Sequence, residues 1–236
     1  MSFIYHTFFF DPLYNLMVLL LSHLTWLDAG VVVIILTVLV RLIMFPLSRK
    51  AVVTQMRMNE VAPELEEIKA KFKDKPEEQA KQTLALYQKY KINPFAGVLV
   101  IIIQIPLIFA LYRIFLHFTE VRTDILYSFV TAPQSINTHF IGLIDISQSS
   151  IILALLAALS TFLQLYLSPV NKKADPKAKT SDFAQVMQTQ MKYFFPVMVF
   201  FISYKISAVI ALYWLTTNLF SVAQEIVIKK RHLAQA

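Results

Sequence analysis

The chain has 236 residues, 57% hydrophobic and only 16% charged, with three glycines and no cysteine. This composition excludes an ordinary soluble domain and points to lipid as the solvent, and the length suits one membrane domain. Without cysteine there is no disulfide, thiolate chemistry, cysteine-ligated zinc or lipid-modified N-terminal cysteine, and the formal charge of +7 has to be interpreted from where the basic residues fall.

Residues 1–29 contain no Lys or Arg. A secretory signal needs a basic start and a small-residue cleavage site, and neither is present, so no removal is expected. The apolar run Pro12 to Leu24 has 13 residues. That is too short to cross comfortably, and Asn15, Ser22 and His23 interrupt it, so the segment reads as an outer-surface interfacial amphipathic helix. The alternative is a further span that takes in Phe3 to Phe10, which leaves all later orientations unchanged.

Five segments then read as membrane spans, at about residues 30–47, 95–118, 150–167, 191–204 and 207–228. The apolar stretch from Tyr193 to Ile228 covers 36 residues. As one helix it would be roughly 54 Å long, nearly twice the hydrocarbon thickness, so it is expected to fold as a hairpin that breaks near Lys205. The expected class is therefore all-α, a polytopic five-span core over residues 30–228. The fourth span is short, which local bilayer thinning accommodates.

Between the first two spans, residues 49–91 read as a helical hairpin. Val61, Leu65, Ile68 and Phe72 recur at helical spacing, as do Ala80, Leu84 and Tyr87 after the break Asp74, Lys75, Pro76. Pro76 fits a first-turn position, and Glu77 and Glu78 suit the positive end of the second helix dipole. The hairpin either simply joins two spans or serves as a platform for incoming chains or ribosomes; periodicity does not choose.

Of the 22 basic residues, ten lie between Arg49 and Lys91, five between Lys172 and Lys192, and three in the tail 229–236, at Lys229, Lys230 and Arg231. All fall on one side of a five-span arrangement. That side is cytoplasmic by the positive-inside rule, with the N-terminus outside and the C-terminus inside. The charge thus follows topology, and no DNA partner is expected. The tail has a ribosome-binding reading beside the topological one.

Arg41 is the single basic residue well inside a span, where a charge costs roughly 3 kcal/mol on insertion scales. It snorkels to the nearer surface, pairs with Glu225, or faces a water-filled cavity. Spacing argues against the pair, because Glu225 lies near the inner boundary, roughly 10 Å deeper. Polar residues that would line such a cavity are Thr37, one turn before Arg41, Gln104 in the second span, and Ser160, Thr161 and Gln164 in the third. In the fifth, Trp214, Thr217, Asn218 and Ser221 share a helical face. Each of these also suits ordinary interhelical hydrogen bonding.

Motifs for catalysis are missing. The five histidines are scattered, with no HExxH pair, and glycine only at positions 30, 97 and 142 excludes a phosphate-cradling loop or a GxSxG elbow. Neither enzymatic activity nor a cofactor or metal is expected.

Five stretches resemble the YidC/Oxa/Alb membrane insertase family, in order and spacing. They are TVLVRLIMFPLSRK (Thr37 to Lys50), APELEEIKAKFKD (Ala62 to Asp74), LYQKYKINPFAG (Leu86 to Gly97), IQIPLIFALY (Ile103 to Tyr112) and LYWLTTNLFSVAQE (Leu212 to Glu225). The sequence departs from the family at Val98, Leu99 and Val100, where relatives often have Cys-Leu-Pro, and at Ser207 and Val209, which replace Pro and Gly. The resemblance implies a hydrated groove open to cytoplasm and lipid, with Arg41, Gln104, Gln164 and Trp214 facing it. It also implies insertion of newly made membrane proteins into the bacterial plasma membrane, alone or beside the Sec translocon. A small-solute transporter or channel subunit is the rival from another class, and a chaperone that never inserts is a second.

Overall fold

A computed structural model describes residues 3–168 and 182–233. Eight helices carry the described chain: α1 (Phe3–His23), α2 (Ala29–Glu60), α3 (Ala62–Lys71), α4 (Pro76–Lys89), α5 (Phe95–Leu116), α6 (Ile151–Leu167), α7 (Asp182–Lys205) and α8 (Ala208–Leu233). Among the described residues, α1, α2 and α5 are long and apolar enough to cross a membrane, and α6 is a shorter apolar helix. The molecule is an all-α membrane protein.

Local chemistry marks several of the helix starts. The Asp28 side chain accepts a 3.0 Å hydrogen bond from the Val31 N–H and caps α2, as Ser150 caps α6 through Leu153. Pro63 and Pro76 sit in the first turns of α3 and α4, where a missing N–H costs nothing. The apolar stretch from Tyr193 onward breaks after Lys205, with Ile206 and Ser207 outside helix.

Three boundaries differ from the sequence expectation, α7 among them, since it begins at Asp182 and not near residue 191. The first span was expected to end at Leu47, but α2 runs on to Glu60; its 32 residues give a rod of about 48 Å. Residues 49–60 hold neither proline nor glycine and are rich in good helix formers, so nothing stops the helix before Pro63. Likewise α8 continues beyond Ile228 through the basic residues Lys229, Lys230 and Arg231. Of the expected basic loop, Lys172, Lys173, Lys177 and Lys179 lie outside the described residues, as do Ala234 to Ala236.

The packing order decides what faces the interior. Helix α2 lies between α5 and α8, α8 packs on α6, and α6 on α7. The largest core contains Met17, Val18, Leu36, Leu111, Ile114, Phe115, Ile146 and Leu212. Helices α3 and α4 form a separate small unit around Val61, Leu86 and Ile92. The start of α3 meets the end of α4, where Glu64 accepts hydrogen bonds from Tyr90 and from Lys89 at 3.3 Å.

One end of the bundle, where α2, α6 and α8 begin, is capped by residues 117–150. Strands β1 (His139–Phe140) and β2 (Ile144–Asp145) pair antiparallel there. Ala29 N–H bonds Asn137 O at 2.8 Å, Ala208 N–H bonds Gln148 O at 2.7 Å, and Val209 N–H bonds Ile146 O at 3.1 Å. The cap thus satisfies helix N-termini that would otherwise be orphaned. Helix α1 belongs to the same end. Its Asn15 donates to Ile125 O at 3.0 Å and accepts from Tyr127 N–H at 2.7 Å, while Arg122 N–H donates to the Tyr14 hydroxyl at 2.6 Å. Near the start of α1, the Phe10 ring lies 5.3 Å from the Arg113 guanidinium, one turn before α5 ends. Tyr5 and His23 are about 27 Å apart along α1, and Tyr5 also faces Arg113. A helix running down beside α2 would carry Tyr5 toward the opposite end of α5, so α1 crosses the capped end instead.

Candidate functional site

Arg41 stands about 18 Å along α2 from Ala29, within the apolar part of that helix. Its side chain is half-buried. Among the described residues it makes neither an ion pair nor a side-chain hydrogen bond. The nearest electrostatic neighbour is the hydroxyl of Tyr213 on α8. Tyr213 is itself buried, its ring 5.8 Å from that of Phe115, and its hydroxyl faces Gln104 of α5 and Thr217 one turn further along α8. The Thr217 hydroxyl is buried without a well-formed hydrogen bond. Three helices therefore bring Arg41, Gln104, Tyr213 and Thr217 together as one polar cluster inside an apolar bundle.

None of those neighbours carries a compensating negative charge. Arg41 keeps its full charge and five N–H donors, which can engage a carboxylate or several carbonyl oxygens. Away from bulk water, attraction for such groups is stronger than at a surface. The arrangement can hold an acidic or strongly polar segment; nothing in it is a nucleophile poised beside a base.

The family described as 60Kd inner membrane protein matches residues 20–235. The chain belongs to this family. A Wolinella succinogenes protein named membrane protein insertase YidC is 30% identical over 229 residues, which cover 95% of this chain but 37% of that protein. A Clostridium tetani protein of the same name is 30% identical over 202 residues, 85% of this chain and 81% of its own length. A Janthinobacterium protein, again so named, is 32% identical over 86% of this chain and 34% of its own length. The chain thus spans little more than a third of two of these relatives and most of the third. With bacterial relatives of this family and helices of membrane-spanning length, it is a bacterial inner membrane protein.

The other expected site residues separate into different settings. Thr37 is almost fully buried and spends its hydroxyl on Val33 O at 2.7 Å, so it does not reach Arg41's cluster with a free donor. Asn218 donates to Ser160 Oγ at 3.1 Å and to Thr161 Oγ1 at 2.7 Å, forming a buried α6–α8 bridge. Ser221 returns its hydroxyl to Thr217 O at 2.9 Å. Trp214 is half-buried and packs against the main core. Gln164 faces Glu225, together with Ser168 and Lys229.

Glu225 is buried; among the described residues its Oε2 has no hydrogen-bond donor and it does not pair with Arg41. Lys229 instead donates to Leu167 O at 3.1 Å, closing the end of α6. Among the described residues no group of three or more His, Cys, Asp or Glu gathers to hold a metal. Tyr213 is the residue that sequence reasoning missed. Its signal was its place four residues before Thr217, on the same helical face.

Proposed function

We propose that this chain is a non-enzymatic membrane protein insertase whose Arg41 cluster lines a hydrated groove. Newly made membrane proteins are its clients and the lipid bilayer their destination. The observation that carries the reading is a half-buried guanidinium in the apolar part of α2 that, among the described residues, has no ion-pair partner and faces neutral polar side chains. Intramembrane charges without a partner survive in water-lined cavities. In such a groove Arg41 attracts the acidic or polar flank of a client, while the client's apolar helix moves along α6 and α8 into lipid. Moving an apolar helix from water to lipid is downhill, so no fuel is required; the protein lowers the barrier for the flank. The names of the relatives support this reading.

The proposed arrangement has five spans, α2, α5, α6, α7 and α8, with α1 lying at the outer surface and α3 with α4 as a cytoplasmic hairpin. The N-terminus is outside and the C-terminus inside. The one-sided distribution of Lys and Arg supports this orientation, and the course of α1 across the capped end supports the interfacial helix. The capped end is then the outer seal, and ribosomes and the Sec translocon are candidate partners on or beside the other face.

The test is insertion of a short single-span client into liposomes with and without the purified protein. Insertion that rises only when the protein is present supports the proposal. Equal insertion in both preparations refutes it.

A further inference from the structure

We propose that Trp26, Ile141 and Leu143 form an apolar foot that embeds in the lipid interface at the capped end, anchoring the cap to the bilayer. Trp26 is 79% exposed, Ile141 61% and Leu143 80%, although all three lie outside any helix. Large apolar side chains so exposed are poorly placed in water.

The backbone holds them outward. Ile141 has φ of 46° and Gly142 of 73°. The left-handed region is ordinary for glycine but unfavourable for a β-branched residue, so the Ile141 conformation is maintained by its surroundings. Its N–H donates to Asp28 Oδ2 at 3.0 Å, and Asp28 is also the cap of α2. Gly142 N–H bonds His139 O at 3.1 Å, and Leu143 N–H bonds Phe140 O at 3.0 Å. The Phe140 ring lies against Gly30, so closely that a Cβ there would come within 2.4 Å of it. The backbone of the tip is therefore fastened to the first turn of α2, with the Ile141 and Leu143 side chains exposed.

Position identifies the occupant. Trp26 precedes the α2 cap by two residues, and Ile141 is bonded to that cap, so the foot stands level with the start of α2. The first turns of α2 are themselves buried or half-buried, but α6, which begins at the same capped end, exposes Ile151 and Ile152 in its first turn, so exposed apolar surface reaches this end of the bundle. Tryptophan at that level is characteristic of the water–lipid boundary, its ring amphipathic and its N–H hydrated. The inference depends on the membrane-spanning character of α2 and not on insertase activity.

The test uses the full chain in vesicles of phosphatidylethanolamine and phosphatidylglycerol. Because the chain has no cysteine, Leu143→Cys carries a single nitroxide, with Ile141→Cys as a second site and Glu77→Cys as an aqueous control. Power saturation with oxygen and a water-soluble nickel chelate should give Leu143 an oxygen-to-nickel ratio severalfold above that of the control. In a Trp214→Phe background, brominated phosphatidylcholine should quench Trp26. A control-like ratio at both labelled sites, or unquenched Trp26 emission, overturns the proposal.

Discussion

At the scale of single residues, Arg41 matters because its neighbours leave its charge uncancelled. A charge-assisted hydrogen bond is worth about 1.5–3 kcal/mol, and each 1.4 kcal/mol is tenfold. Arg41→Ala should therefore lower reconstituted insertion of clients with acidic flanks by about tenfold or more, with little effect on clients whose flank is neutral. Arg41→Lys should retain part of the activity by keeping the charge. Equal insertion by all three proteins would remove Arg41 from the mechanism. The glycines give an independent contrast. Gly30→Ala drives a methyl group into Phe140 and should destabilise by about 1–3 kcal/mol, whereas Gly97 has open space around its Cβ direction and Gly97→Ala should leave stability unchanged or raise it by up to about 1 kcal/mol. Denaturation in detergent micelles would read both. Arg41 stood out in the sequence because charge within an apolar run is costly wherever the helix turns. Tyr213 did not, since an aromatic residue in an apolar run is as readily core as site, and only the approach of α2 and α5 decides.

At the scale of helices, periodicity located α3 and α4 because their apolar residues repeat on one face. It did not reveal that α2 continues into the polar region, since a helix boundary without proline or glycine leaves no local mark. The shared face of Trp214, Thr217, Asn218 and Ser221 was also readable, but helical spacing could not tell which neighbour each residue meets. Asn218 turned out to bridge α6 and α8. Asn218→Ala should cost about 0.6–2 kcal/mol of bundle stability, the range for interhelical hydrogen bonds in membranes. A cost below that range in detergent unfolding would make the bridge incidental. The ion pair between α3 and α4 should respond to pH. The Tyr90 hydroxyl, then Lys89, holds the Glu64 carboxyl below its ordinary 4.5. Tyr90, then Glu64, raises Lys89 above its ordinary 10.5. The carboxylate's contribution is present above about pH 4.5 and is lost as pH falls through its lower folded value; the ammonium's is present below about 10.5 and is lost as pH rises through its higher one. Because Glu64 and Lys89 are exposed while Val61, Leu86 and Ile92 still pack beneath them, spin labels on the two helices should report a pair that stays close at neutral pH and whose distance distribution broadens in acid. Glu64→Gln should abolish that acid transition; its persistence would assign it elsewhere.

For the whole molecule, the contrast between the two ends carries the proposed mechanism. The end where α2, α6 and α8 begin is tied together by α1, the β1–β2 hairpin and backbone bonds to helix N-termini. At the other end α2 projects into the small α3–α4 unit, which has its own core. An insertase that takes clients from inside needs the tied end outward and the projecting end inward. Because the chain has no native cysteine, two single-cysteine variants can test this directly in intact cells. Gln134→Cys in the cap should react with a membrane-impermeant maleimide without permeabilisation. Lys73→Cys between α3 and α4 should react only once the membrane is opened. Reversed labelling would leave Arg41 in the same helix but turn its cluster toward the wrong compartment, and clients delivered from the cytoplasm would meet the sealed end first.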